Sequence, residues 1–277
     1  MQIREIETAD IARAAALLAE GFPGQDAASW TAVLRTLDAR PALTGYPRMG
    51  FVVEADGRLE GIILLISSLI DGVVRSNLSS WYVRPDARQY ATFLFQRSIK
   101  QRGGIYLNLS PSVEALPIAK AFGFKPYTGG VLRFDARSAL RAAGNRVRAI
   151  DARNLSMLDD AARETVRIHL GYGCRACSLD DGNGALPIIY RVRRVKRIVP
   201  VARIVSGDPA RVAASAGDLS RFFLMRGIAG FFIDAPRDIE GVTGASHLPD
   251  KDVRYVKGAP APAPGDLRET EMAIFYQ

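Results

Sequence analysis

The chain has 277 residues, 48% of them hydrophobic and 24% charged, and its formal net charge is +8. This composition excludes intrinsic disorder and allows one large core or two modest ones. Two cysteines cannot build a disulfide framework, and the longest apolar run, Gly61–Ile66, is too short to cross a membrane. Because the chain starts with charged residues and shows no secretory signal, we expect a cytoplasmic protein with no membrane partner.

The first elements are predicted to be a strand, a helix and a hairpin. Ile3–Ile6 has strand character, and Thr8–Asp10 fits a helix cap ahead of an Ala- and Leu-rich helix that ends near Gly21. Two apolar strands, Phe51–Glu54 and Gly61–Ile66, flank an Asp-Gly turn, which is a strong hairpin signal.

The segment Asn77–Phe95 is the most informative part of the chain. A strand rich in aromatic and β-branched residues ends at Val83, and Pro85 breaks it because proline has no amide hydrogen for the ladder. Apolar residues then recur at helical spacing, at Ala91, Leu94, Phe95 and Ile99. The start of such a helix offers unpaired amide hydrogens and a positive dipole end, which suit a phosphate.

A second strand and helix follow this segment. Ile105–Ser110 reads as a strand, and Val113–Phe122 reads as a helix that closes in the pair Gly123-Phe124. The element order is therefore strand, helix, hairpin, strand, helix, strand, helix.

These residues resemble the cofactor-binding turn of the GNAT acyltransferase superfamily. There a strand ends in Val-x-Pro, followed by Arg or Gln, two residues, Gly, one residue, then Gly or Ala. Val83, Pro85 and Arg88 fall in register with that motif, with Ala91 at the first small position and Phe93 at the second. The element order resembles the family from Met1 to about residue 134.

The resemblance implies an α/β (α+β) fold with a mixed, mostly antiparallel sheet flanked by helices. It also implies acyl transfer from acetyl-CoA or another acyl-CoA to a small-molecule or peptidyl amine, by direct attack of the amine on the thioester. No metal is expected. Carried over by position, the strand residues facing the thioester are Trp81, Tyr82 and Val83, and the phosphate cradle is Arg88, Gln89, Tyr90, Ala91, Thr92 and Phe93.

The catalytic residues stay unassigned. Family members often carry an Asn after the fifth strand and a Tyr seven residues later as general acid, where this chain has Ser112 and Ala119. Ser110, Tyr106 and Tyr127 are substitutes among which spacing does not choose. The alternative function is a non-catalytic ligand-binding or assembly protein that has lost the acid.

A domain boundary is predicted near residue 135. Residues 1–135 form the GNAT-like domain, 136–155 a basic linker, and 156–277 a second α/β domain. The first 135 residues carry 15 basic and 13 acidic side chains, against 22 and 16 in the remainder, so the basic excess lies in the second half.

The sequence of the second half shows a weak similarity to that of the first, called the echo below. Ala87–Ala91 aligns with Ala210–Ala214, and the same register places Gly104-Ile105 on Gly227-Ile228. Two strand-like runs precede this second helix, Leu186–Val192 and Ile198–Val205. A degenerate second copy of the domain and a chance match of alanine-rich helices both stay open. In this register Arg211, Ala214 and Ala216 fit the acyl-CoA pattern of small residues better than the first copy does, whereas Asp208 would repel a pyrophosphate.

Three other features have an ordinary structural interpretation. Cys174 and Cys177 follow His169, but a single Cys-x-x-Cys is weak evidence for a metal or redox site. His247 has the composition of a solvated loop around it. Pro260, Pro262 and Pro264 indicate a loop before a terminal strand, Glu271–Tyr276.

The densest basic run is Arg191–Arg197. Its alternation of Val192, Val195 and Ile198 with charge favours a solvated hairpin. A grip on the CoA 3′-phosphate or on an acidic acceptor is also open. Nucleic-acid binding ranks third among the functions, because no aromatic interleaving or recognition motif accompanies the run.

Overall fold

The computed structural model describes residues 1–101, 103–195, 198–238, 242 and 244–275. The chain divides into two compact units that interleave along the sequence. Unit 1 combines Met1–Lys125 with Arg254–Ala261, and unit 2 combines Pro126–Val253 with Pro262–Gln277.

Unit 1 contains one mixed sheet flanked by helices. Its helices are α1 (Ile11–Gly21), α2 (Ala27–Asp38), α3 (Ala91–Ser98) and α4 (Ala115–Ala121). Its strands are β1 (Gln2–Glu5), β2 (Gly50–Ala55), β3 (Arg58–Ile70), β4 (Val73–Val83), β5 (Ile105–Asn108), β6 (Lys125–Pro126) and β14 (Tyr255–Lys257). The strand order is β1-β2-β3-β4-β5-β14-β6; β4 and β5 are parallel, and the other pairs from β1 to β14 are antiparallel.

Local signals in unit 1 act as predicted. Asp56 and Gly57 both have positive φ, at 49° and 75°, as a two-residue hairpin turn between β2 and β3 requires. Helix α1 ends at Gly21, and the carboxylate of Asp26 starts α2 by accepting a hydrogen bond from the Ser29 amide. The hairpin and the first helix are therefore confirmed.

The core on one face of this sheet is built around Phe95. Its ring centroid lies 5.0 Å from that of Trp81, 5.4 Å from that of Phe122 and 5.9 Å from that of Phe124. Helix α3 is amphipathic, because Leu94 and Phe95 are buried while Phe93 is exposed. This packing fixes α3 against β4 and sets the turn between them.

Unit 2 contains a second mixed sheet. Its helices are α5 (Asp160–Gly171), α6 (Pro209–Ala214), α7 (Ala216–Leu224) and α8 (Glu271–Ile274). Its strands are β7 (Val131–Asp135), β8 (Arg146–Ile150), β9 (Arg175–Asp180), β10 (Ala185–Val195), β11 (Val199–Ser206), β12 (Gly230–Asp234) and β13 (Ser246–Leu248). The strand order is β8-β9-β10-β11-β12-β7-β13, with β11 and β12 parallel.

The two sheets share one topology. In each, an antiparallel pair (β3–β4 or β10–β11) leads through helical residues to a parallel neighbour (β5 or β12). The fifth strand of each sheet then pairs antiparallel with a strand from a distant part of the chain, β14 in unit 1 and β7 in unit 2. The echo in the sequence is therefore a structural repeat.

The predicted domain division differs from the observed one. Residues 131–135 form β7, which pairs with β12, so the first unit ends at Lys125 rather than near residue 135. The predicted basic linker 136–155 contains a 3₁₀ helix and strand β8, which pairs with β9, so it belongs to the fold of unit 2. Strand β14 also returns part of the C-terminal half to unit 1.

The predicted terminal strand is wrong over its described part. Glu271–Ile274 is a helical turn whose four side chains are all buried, and Tyr276 lies outside the described residues. Separately, no helix within the described ranges is long and apolar enough to span a bilayer.

Candidate functional site

The end of β4 is the structural feature closest to the predicted site. Parallel pairing with β5 runs from Arg75 and Ile105 to Leu78 and Asn108, where it stops. Strand β4 continues to Val83, so its last five residues extend past the end of β5. Over these five residues, the main-chain groups on this side of β4 have no pairing with β5.

A bulge shapes the same end of β4. The register with β3 shifts between the pairs Ile62–Tyr82 and Leu64–Ser79, and Ser80 within the shift has a φ of +49°. A residue in this left-handed region turns the backbone and re-aims the neighbouring peptide groups.

The turn after β4 is more tightly wound than the sequence indicates. Pro85–Tyr90 is a 3₁₀ helix that runs directly into α3. The amide of Ala87 donates to the Arg84 carbonyl, and that of Ala91 donates to the Arg88 carbonyl. These two amides are used within the turn, which departs from the expectation that the turn leaves its amides free.

The predicted cradle side chains mostly face solvent. Arg88, Gln89, Thr92 and Phe93 are exposed, whereas Tyr90 and Ala91 are partly buried. Phe93 is 59% exposed, so its ring does not fill the corner between strand and helix.

The three predicted strand residues divide between the two faces of the sheet. Trp81 and Val83 pack against the core around Phe95. The buried indole Nε1–H of Trp81 has no hydrogen-bond partner within the described part of the chain. Tyr82 faces the other way and donates a 2.9 Å hydrogen bond to Glu20. The structure therefore brings Tyr82, and not Trp81, to the end of α1.

Glu20 is a residue of this region that the sequence did not single out. Arg84 binds its carboxylate through Nε and Nη2, with Nη2 2.8 Å from Oε2. These hydrogen bonds lower the pKa of Glu20, while burial and the adjacent Glu20 raise the pKa of Tyr82. Gly21 allows the contact, because a Cβ there would lie 2.3 Å from Cγ of Tyr82. An acidic residue at a helix end gives no sequence signal, since it looks like any solvated charge.

The positions where GNAT enzymes often carry their acid hold structural residues here. The Ser112 hydroxyl accepts a hydrogen bond from the Ala115 amide at the start of α4, and Ala119 is fully buried. Among the substitutes, Tyr106 is buried with its hydroxyl donating to the Gln101 carbonyl, and burial raises its pKa to about 12. Ser110 is exposed, and Tyr127 belongs to unit 2.

Comparison with known proteins identifies the architecture. A GCN5-related N-acetyltransferase from Anabaena variabilis matches 92% of this chain and 72% of its own at a TM-score of 0.60 and 12% identity. A GCN5-related N-acetyltransferase from Kribbella flavida matches 92% of this chain and 70% of its own, at a TM-score of 0.57 and 13% identity. A tandem GNAT protein from the clavulanic acid biosynthesis pathway matches 94% of this chain and 99% of its own, at a TM-score of 0.54 and 14% identity.

The chain has a tandem GNAT fold. At these identities the likeness concerns the fold alone. No family model matches the chain, and no curated protein matches its sequence.

The second GNAT repeat differs from the first at the start of its helix. Asp208 precedes α6 and accepts a hydrogen bond from the Arg211 amide, so a carboxylate of the chain already caps this helix. The side chain of Arg211 pairs with Asp181 at 2.6 Å, which lowers the pKa of that carboxyl to about 2. The positive end of the α6 dipole in unit 2 is therefore already compensated by a carboxylate of the chain itself.

The cysteines and histidines of unit 2 have structural surroundings. Cys174 and Cys177 are buried free thiols, and burial raises their pKa values to about 11 and about 12. The ring of His169 is buried, and its Nε2 accepts a hydrogen bond from the Glu269 amide at 3.1 Å. His247 is exposed and its Nε2 lies 2.6 Å from the Gly129 carbonyl oxygen. The described residues contain no group of three or more metal-ligand side chains.

The basic run forms part of a hairpin, as the sequence favoured. Arg191, Arg193 and Arg194 lie on β10, which pairs with β11 up to Val195 and Val199. Arg191 donates to the Ala273 carbonyl at 2.7 Å, and Arg193 lies 5.5 Å from the ring centroid of Phe232. Lys196 and Arg197 lie outside the described residues.

Proposed function

We propose that unit 1 binds an acyl-CoA and transfers its acyl group, acetyl in the first instance, to an amine. The observation that carries this proposal is the end of β4, where five residues extend beyond the last pair with β5. Main-chain groups that a neighbouring strand leaves unpaired can pair with an extended amide-containing chain, as in strand addition. The pantetheine arm of CoA has that chemistry.

The turn after β4 supports the phosphate end of the same ligand. Arg88 is exposed there, and α3 begins three residues later. The guanidinium favours a pyrophosphate, and so does the positive end of the α3 dipole, although the Ala91 amide at that end already donates to the Arg88 carbonyl. The exposed position of Phe93 leaves this corner accessible.

The reaction needs little covalent help from the protein. The amine nitrogen attacks the thioester carbon, the C–S bond breaks, and the thiolate leaves while the amine loses a proton. The bulge at Ser80 and the peptide groups around it would hold the thioester carbonyl. The acceptor is a small-molecule or peptidyl amine.

Two measurements test this proposal. Isothermal titration of the full chain with acetyl-CoA and longer acyl-CoAs should give heat, and a thiol-release assay over a panel of small and peptidyl amines should give turnover. Absence of binding at about millimolar ligand, the weak end of the affinity scale, removes the proposal.

A non-catalytic binding or assembly role is the second candidate. It is favoured by Ser112 and Ala119, one of which caps a helix while the other fills the core. In that case acyl-CoA binds without turnover of any amine in the panel.

A further inference from the structure

The C-terminal segment of unit 2 runs along the end of β11. The Leu267 amide donates to the Val205 carbonyl at 2.8 Å, and the Gly207 amide donates to the Gly265 carbonyl at 3.2 Å. Between these two bonds, Ser206 and Asp266 form an antiparallel bridge. Residues 265–267, called the strap below, therefore pair with β11 as a short added strand.

The strap pairs with the part of β11 that corresponds to the end of β4 beyond its last pair with β5. Parallel pairing of β11 with β12 involves Ala202 and Arg203, and the strap bonds to β11 beyond them. A Cβ on Gly265 would lie 2.6 Å from the Gly207 carbonyl oxygen and 3.3 Å from side-chain atoms of both Ile233 and Pro209. Gly265 is therefore in contact with the end of β11, with β12 and with the first residue of α6. Those elements correspond to β4, β5 and the helical turn of unit 1.

The strap is firmly built into unit 2. Leu267 is fully buried, and the Thr270 hydroxyl donates to its carbonyl at 2.7 Å. Farther along, Arg191 and the Cys174 thiol both donate to the Ala273 carbonyl. The close approach of the two backbones needs glycine at position 265, where a Cβ would meet the Gly207 carbonyl oxygen and φ is +82°.

We propose that the strap occupies, in unit 2, the groove that unit 1 leaves for the pantetheine arm of acyl-CoA. The Asp208 carboxylate, which caps α6, adds a negative charge beside the turn where unit 2 would have to receive a pyrophosphate. One chain therefore binds one acyl-CoA, and it does so in unit 1. This inference rests on the proposed function of unit 1.

The stoichiometry of acyl-CoA binding to the full chain tests the inference. Titration of the intact protein with acetyl-CoA should saturate at one ligand per chain. Saturation at two ligands overturns the inference and leaves the proposed function standing, whereas absence of binding removes the proposed function.

Matched substitutions locate the ligand. The register of the two sequence segments aligns Ala91, the first residue of α3, with Ala214, the last residue of α6, and each becomes Glu in one variant. We expect Ala91→Glu to weaken acetyl-CoA binding by about tenfold or more, because a carboxylate beside phosphates is repelled. Ala214→Glu should leave the affinity unchanged. Arg88→Glu, at an exposed side chain, repeats the unit 1 test if Ala91→Glu lowers the melting temperature. The reverse ranking overturns the inference.

Hydrogen exchange tests the strap without depending on turnover. The amides of Gly207 and Leu267 should exchange slowly in the free protein and show no change with acetyl-CoA. Rapid exchange in the free protein, or displacement of the strap by the ligand, contradicts the inference even when unit 1 also binds acetyl-CoA.

Discussion

Asp10 shows how one residue ties the first strand to the first helix. Its carboxylate is 3% exposed and accepts hydrogen bonds from Arg4 at 2.8 Å and from the Glu7 amide at 3.0 Å. The hydrogen bond from Arg4 is the main reason that the pKa of Asp10 lies well below its usual range. Arg4 also binds Glu54 on β2, so the charges connect three elements.

We expect Asp10→Asn to destabilise the protein by about 2 kcal/mol, the usual loss for hydrogen bonds to a charged group in a buried place. Because the pKa of Asp10 is lower in the folded state, its contribution is complete above about pH 4 and is lost as the pH falls below that value. Urea unfolding at neutral pH and near pH 3 measures this. The difference between wild type and variant should shrink at the lower pH; an equal difference at both pH values contradicts the account.

Ser80 is the residue on which the shape of the candidate site depends. Its φ of +49° is readily adopted by glycine and strained for β-branched side chains. We expect Ser80→Val to cost about 1–2 kcal/mol of stability and to weaken acetyl-CoA binding, because the bulge would have to unwind. Ser80→Gly is the control and should keep the affinity of the wild type. Urea unfolding and calorimetry check both variants. If Ser80→Val binds acetyl-CoA with unchanged affinity, binding does not depend on the bulge.

At the scale of elements, a buried histidine fastens the segment that contains the strap. Nδ1 of His169 lies 2.7 Å from the Thr165 carbonyl oxygen, and Nε2 accepts from the Glu269 amide. Both bonds can form together only when the ring is neutral with its hydrogen on Nδ1. Burial lowers the pKa of His169, with Glu269, Asp266 and Arg268 as the nearby charges.

Acidification should therefore loosen this segment. A histidine whose pKa is lower in the folded state stabilises the fold above its unfolded pKa of about 6.5, and this contribution is lost as the pH falls below it. We expect the amides of residues 265–275 to exchange faster at pH 5 than at pH 7, after correction for intrinsic rates. In His169→Gln an amide oxygen can accept the same bond without titrating, so the pH effect should vanish. A pH effect that persists in His169→Gln would assign it to another group.

The sequence predicted those elements whose signals and partners are close together in the chain. The Asp-Gly turn predicted the β2–β3 hairpin, and alternation in the basic run predicted β10–β11. The strand Tyr255–Lys257 was not predicted, because three residues are too few to show an alternating pattern and its partner, β5, is distant in the chain. Glu271–Ile274 was misread as a strand because its four buried side chains have no polar face to show a helical period.

The candidate site was predictable only in part. The register of Val83, Pro85 and Arg88 located the end of β4 and the following turn. It did not reveal that the turn would wind as a 3₁₀ helix, since that depends on hydrogen bonds such as Ala87 to Arg84. Trp81 and Val83 share one face and Tyr82 lies on the other, as a two-residue period predicts. The bulge at Ser80 shifts the register of β4 with β3, and that period does not anticipate the shift.

At the scale of the molecule, neither half of the sequence contains a complete unit. Unit 1 requires Arg254–Ala261, and the strand β7 within residues 1–135 has its partner β12 in unit 2. We expect a protein of residues 1–135 to aggregate or to unfold at a lower temperature than the full chain, because the edge of β5 and the strand β7 both lack partners. Size-exclusion chromatography and thermal melting measure this.

A control with the missing strand restored should behave differently. Residues 1–125 joined by a flexible linker to residues 253–261 contain every strand of the first sheet except the end of β6. This protein should be more stable than residues 1–135. Equal melting temperatures for the two would show that β14 adds nothing to the first sheet.

The interleaved course of the chain also limits how its gene can be recombined. The chain passes from one unit to the other after Lys125, after Val253 and after Ala261. Consider a chimera in which the second half of the sequence comes from a tandem relative. Each of its sheets would then contain, at an interior position, one strand from the other parent protein. An exchange of unit 1 should give a folded protein when the donor supplies β14 together with residues 1–125. The part of the gene that can be exchanged as a unit is therefore discontinuous.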